Sequence, residues 1–122
     1  MTHAPLPLEG IRVVEFSHMV MGPTCGLVLA DLGADVVKVE PAPDGDKTRR
    51  LPGSGAGFFG TYNRNKRSIS VNLKSVEGLE FATNLVRASD VLLENFSAGV
   101  MDRLGLGYDA TQLLEYQLLY LS

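Results

Sequence analysis

The sequence holds a single cysteine, Cys25, in 122 residues. One cysteine excludes an internal disulfide and a cysteine-built metal cluster, and it fits a reducing compartment. The two histidines, His3 and His18, lack metal-ligand spacing, so no metal site is expected. No apolar run is long enough to cross a bilayer. Residues 1–7 carry neither the cationic nor the apolar segment of a secretory leader, so a cytoplasmic location with no membrane partner is expected. Net charge is small, −3, which excludes a chain-wide nucleic-acid surface and leaves room only for local basic patches. Internal repeats and low-complexity tracts are absent. So is the G-x-G-x-x-G turn of dinucleotide-binding folds: residues 17–23 contain one glycine, Gly22.

What is present is an ordinary globular composition, 45% hydrophobic and 20% charged, enough for one small domain or part of a larger one. Residues 11–16 are a β-branched apolar run that reads as a buried strand. A helix is expected over 24–32, with Pro23 tolerated in its first turn and Gly33 as a left-handed stop. A second strand follows at 36–40. Strand, tight turn, helix and strand within about thirty residues make a βαβ unit, whose crossover is right-handed and whose strands are parallel. Further strands are expected at 68–73, 90–93 and 117–122. Ser75 should cap a helix whose apolar face is Leu79, Ala82, Leu85 and Val86. Ser97 should cap a short helix running through Arg103, and Asp109 should start another. The fold class is α/β: a Rossmann-like, mostly parallel sheet flanked by helices. The last strand would leave an unpaired edge where the chain stops. Residues 1–122 are therefore expected to be the amino-terminal part of a larger domain, with a small natural domain as the alternative.

Residues 41–60 form the one extended irregular stretch, rich in glycine and carrying Asp44, Asp46, Lys47, Arg49 and Arg50. Such a loop at the carboxyl end of a strand is where open α/β sheets bind ligands. Close by, Asn63-Arg64-Asn65-Lys66-Arg67-Ser68 runs directly into a strand. Cationic forks of this kind suit phosphate oxygens, and the same run equally describes a solvated turn. His18 lies just past a strand, where a ligand-lining or structural histidine is expected rather than a catalytic base. Asn95 ends a strand with free amide groups. Arg103 sits near a helix carboxyl end, where the dipole favours a cation and from which it could reach an anion. Cys25, inside a helix, reads as a small core residue.

Taken together these stretches resemble the class III CoA-transferase family, which takes in formyl-CoA and carnitine-CoA transferases and the α-methylacyl-CoA racemases. The resemblance is carried by residues 8–16, Gly22-Pro23, residues 29–40, Gly45-Asp46 with Arg49, residues 65–69, residues 90–96 and residues 99–105. It implies a Rossmann-like large domain, an interlocked homodimer, and coenzyme A or an acyl-CoA bound across the carboxyl ends of the strands. It further implies that His18, Met19, Val20 and Met21 lie near the thioester end of the coenzyme. By the same resemblance Val71, Asn72, Leu73 and Lys74 line its adenine nucleotide, and Asn95 and Arg103 contact it. Arg67 joins that set through the basic loop, since coenzyme A carries three phosphates. By the same resemblance the family moves coenzyme A from an acyl-CoA to a small carboxylic acid, through a mixed anhydride and then a thioester on an aspartate. No aspartate here matches that nucleophile, so no catalytic residue is assigned and these residues alone are expected to be inactive. Three positions depart from the family. Tyr116 replaces a proline often seen just before the last strand. Pro41 stands where some members have a base for a phosphate, which leaves that contact to Arg49 or Arg67. Val20 stands where formyl-CoA transferases have a hydrogen-bonding glutamine, which argues against a formyl or oxalate substrate. A racemase acting on 2-methylacyl-CoA and a non-enzymatic nucleotide-binding module remain the alternatives.

Overall fold

The computed structural model describes residues 2–122; Met1, the first residue of the stretch read for a leader, lies outside them. Five strands form one sheet, β1 (Arg12–Phe16), β2 (Asp35–Pro41), β3 (Arg67–Val71), β4 (Val91–Glu94) and β5 (Leu119–Leu121), in the order β3-β2-β1-β4-β5. All four pairings are parallel. The sheet is thus wholly parallel, as the βαβ reading required. Helix α1 (Met21–Asp31) makes the first crossover and α3 (Val76–Arg87) the crossover from β3 to β4.

Side-chain alternation assigns the two faces. Val14 and Phe16 of β1, Val39 of β2, Val71 of β3 and Leu92 of β4 pack with Ala82 and Val86 of α3. Met101 of α4 (Val100–Arg103) and Leu106 close that layer. Val13, Val36 and Leu93 point the other way, onto Ala30 of α1 and Ala34. Central strands of a parallel sheet are covered on both faces, so each needs apolar or paired residues at every position.

The sequence-derived elements largely hold, with three differences. Helix α1 starts at Met21, three residues earlier than expected, so Pro23 is its third residue. Residues 41–60 are not wholly irregular. They hold two short 3-10 turns, Lys47–Arg50 and Gly53–Gly55, and the start of helix α2 (Phe58–Asn63), which packs on α1. Five glycines within this stretch hid that helix. Ser97 does not cap α4; Gly99, at φ 82°, precedes it in the left-handed region, where a side chain is strained. Ser75 does cap α3, its hydroxyl accepting from the Gly78 amide at 3.0 Å. The last helix is α5 (Tyr108–Leu114).

Candidate functional site

Strand order runs one way from β1 through β2 to β3 and the other way through β4 to β5, so the chain reverses between β1 and β4. At such a reversal the loops leaving neighbouring strands diverge and open a crevice at the carboxyl edge. His18 and Asn95 stand there, just past β1 and β4. They are tied reciprocally. The His18 amide donates to Asn95 Oδ1 and Asn95 Nδ2 donates to the His18 carbonyl, both at 3.0 Å. The His18 imidazole stacks on Phe96 with ring centres 5.4 Å apart. Gly22 is needed beside them, because a Cβ there would fall 2.7 Å from Asn95 Cγ and from Ser17 Cβ.

The next residue, Met19, has φ 63°, a left-handed backbone that costs a non-glycine residue about 1–2 kcal/mol. Its amide donates to Thr48 Oγ1 at 2.9 Å. Val20 precedes α1, which begins with no side-chain cap and no acidic residue in its first turn. Met19 and Met21 are exposed.

Beneath this turn lies a buried ionic layer. Glu15 and Lys38 face each other directly across β1 and β2 and are almost wholly buried. Lys66 Nζ contacts Glu15 Oε1 at 2.9 Å and also donates to the Pro23 carbonyl and Asn63 Oδ1. Lys38 Nζ donates to the Ser17 carbonyl at 2.8 Å and lies 3.1 Å from Asp46 Oδ2. Ser17 Oγ donates to Glu15 Oε1. Two carboxylates and two ammonium groups thus balance. Burial pushes the Lys66 pKa down, with Glu15 opposing it. Burial would push Asp46 up, but the Thr48 amide, the Thr48 hydroxyl and Lys38 outweigh it and hold it below its ordinary value.

Glu40 is a further buried acid. Arg49 grips it with two bonds of 2.7 Å, the Asp46 amide and Ser68 hydroxyl donate at 2.8 Å, and the Arg49 guanidinium lies over the Phe59 ring. Burial alone would raise Glu40; Arg49, the Asp46 amide and Ser68 bring it down to about 2. A carboxylate with a lowered folded pKa stabilises above its unfolded value and loses that contribution as pH falls. Stability should therefore decline from about pH 4.5 toward about 2. Glu40→Gln should cost about 2 kcal/mol at neutral pH and flatten that part of the profile. Urea denaturation at stepped pH checks this; a profile unchanged by the substitution contradicts it.

The structure brings His18, Met19, Val20, Met21 and Asn95 together at the reversal. Asn72, Leu73 and Lys74 share the same edge of the sheet, beyond β3, while Val71 turns its side chain into the core. Arg103, exposed, ends α4 beyond β4. Arg67 stands apart. It begins β3 at the amino edge and pairs bidentately with Asp35 at 2.6 and 2.9 Å. The expected grip of the 63–68 loop on phosphate is likewise not what the geometry gives. Lys66 is spent on Glu15, Arg64 on Asp31 and Arg49 on Glu40. No ion pair occupies Lys47, Lys74 or Arg103 among the described residues. A cavity of about 190 Å³ lies at the amino edge, lined by Arg12, Asp35, Arg67 and Ser89, away from the crevice. Cys25 is half-buried in α1, and burial raises its pKa, with Glu15 adding to the rise.

Sequence reasoning missed Glu15, Lys38, Asp46 and Thr48. For Glu15 and Lys38 the available signal was a charge inside a strand central to a parallel sheet, where it must be paired; Asp46 and Thr48, in the turn after β2, carried no such signal.

Comparison with known proteins adds four findings. The model for CoA-transferase family III matches residues 8–122. A formyl-CoA:oxalate CoA-transferase of Streptomyces coelicolor is 46% identical over 94% of this chain and 29% of its own length. An acyl-CoA transferase of Fusarium pseudograminearum is 41% identical over 93% of this chain and 27% of its own. Among solved structures, a CAIB/BAIF family protein from Brucella suis superposes with a TM-score of 0.87 at 41% identity, over 96% of this chain and 33% of that one. The chain therefore spans between a quarter and a third of the length of these relatives.

Proposed function

The chain belongs to CoA-transferase family III, and from that premise we propose that residues 1–122 are the coenzyme A-binding, amino-terminal part of the large domain of an acyl-CoA:carboxylate CoA-transferase. The observation that supports this best is the locked His18–Asn95 pair at the β1/β4 reversal. Lys74, beyond β3, and Arg103, beyond β4, follow strands on the same edge of the sheet and carry no ion pair among the described residues. Those cations suit the phosphates of a nucleotide, and the turn suits the thioester arm. Arg67, facing the other edge, takes no part.

In this reading coenzyme A passes from an acyl-CoA to a small carboxylic acid by way of an aspartate. The aspartate attacks the thioester, giving a mixed anhydride and the coenzyme thiolate; the thiolate attacks the aspartyl carbonyl, giving an enzyme thioester and releasing the first carboxylate. The incoming carboxylate attacks that thioester, and the thiolate it expels takes the new acyl group and frees the aspartate, so one hard displacement becomes several easier ones. The aspartate would come from sequence outside these 122 residues, as would the rest of an interlocked homodimer. Val20 offers no side-chain hydrogen bond to the reacting carbonyl, so the acyl group is left open. The names of the curated relatives favour transfer over racemisation.

Calorimetric titration of the chain with coenzyme A tests the reading. Binding should weaken about tenfold in Arg103→Ala and in Asn95→Ala, the loss of one charge-assisted or bidentate contact each. Absence of binding at millimolar coenzyme A, or binding indifferent to both substitutions, overturns it.

A further inference from the structure

The buried ionic layer and the candidate ligand turn are joined by a closed ring of hydrogen bonds and one ion pair. It starts at Ser17, whose carbonyl and hydroxyl accept from Lys38 Nζ at 2.8 and 3.1 Å. Lys38 lies 3.1 Å from Asp46 Oδ2. Asp46 Oδ1 accepts from the Thr48 amide at 2.9 Å, and Thr48 Oγ1 accepts from the Met19 amide at 2.9 Å. The ring leaves the chain at residue 17 and returns at residue 19, with His18 between. Lys38, Asp46 and Thr48 are each 3% exposed or less, so water does not compete for these bonds. From the other side, Asn95 fixes His18 itself by two further bonds.

We propose that Lys38, Asp46 and Thr48 are positioning residues that hold the backbone of residues 17–19 in its ligand-ready form before any ligand arrives. The left-handed Met19 is the point they act on. A turn in that conformation relaxes unless its amide is held, and Thr48 is the side chain that holds it. Arranging the turn in advance spares a ligand the ordering cost at the moment of binding. The part of this inference that concerns the ligand rests on the coenzyme A reading above; the part that concerns the turn does not.

Thr48→Val keeps the shape and removes the acceptor, and Thr48→Ser keeps the acceptor. Amide hydrogen exchange read by NMR on the free chain should show Met19 exchanging at least tenfold faster in Thr48→Val and close to wild type in Thr48→Ser. Coenzyme A affinity should fall about tenfold in Thr48→Val and recover in Thr48→Ser. Unchanged Met19 exchange, a uniform rise across all amides, or an equal defect in Thr48→Ser overturns the positioning role. If wild type binds coenzyme A and Thr48→Val binds it equally well, the benefit to the ligand is overturned. If wild type does not bind at all, the functional reading falls, and the exchange data alone decide the role of the ring.

Discussion

Glu15→Gln should lower the free energy of unfolding by about 3–5 kcal/mol. Glu15 is fully buried on β1, with Lys66 Nζ 2.9 Å and Lys38 Nζ 3.7 Å from the same oxygen. The amide keeps the shape and removes the charge, so two buried ammonium groups face each other with only Asp46 to offset them. Removing one member of a buried pair is costly because the desolvation of the survivor goes uncompensated. Lys66, already pushed down by burial, would then lose the carboxylate that opposes the push. Urea denaturation measures the effect as a lower midpoint at constant slope. A loss below about 1 kcal/mol would mean that the layer is hydrated and exchanges its partners freely.

Gly26→Ala should cost about 3 kcal/mol, although alanine ordinarily favours a helix interior over glycine by about 1 kcal/mol. Gly26 lies in α1 directly over Glu15, and a Cβ there would land well inside van der Waals contact with Glu15 Oε2. That carboxylate cannot swing aside, since Lys66 and Ser17 hold its other oxygen. Gly60→Ala in α2 supplies the contrast: nothing lies within 4 Å of its Cβ, so the ordinary helix gain of about 0.5–1 kcal/mol should appear. Thermal unfolding of the two variants separates crowding from propensity. Equal shifts of the same sign would show that the α1–β1 spacing is set by something other than this contact.

Much of the fold could be read from local pattern. The β-branched runs at 11–16 and 36–40 gave strands within a residue of their ends, and the serine at 75 gave the start of α3. His18 and Asn95 were placed by their positions just past strands, which in a parallel sheet means one shared edge. The basic run was misjudged because adjacent residues entering a strand face opposite ways. Lys66 turns inward beneath α1, and Arg67 turns out beside Asp35. Nothing in an isolated Lys-Arg pair says which faces inward. Glu15, Lys38 and Glu40 were hidden for a related reason. Alternating charge along a strand is also what a solvated face looks like, and only their central place in the sheet shows that no water reaches them. Helix α2 was masked by the glycines that precede it and by Gly60, whose cost to a helix is met by packing on α1.

The layer between the sheet and α1 is divided along its length: Val13, Val36 and Ala30 at the amino end, Glu15, Lys38 and Asp46 toward the carboxyl end. The two ends respond differently to the medium. Chilling weakens the association of hydrocarbon, whereas charges sealed from solvent feel neither cold nor added electrolyte strongly. Near freezing, the first loosening should begin at the oily end, while the turn bearing His18 stays seated on its ionic bed.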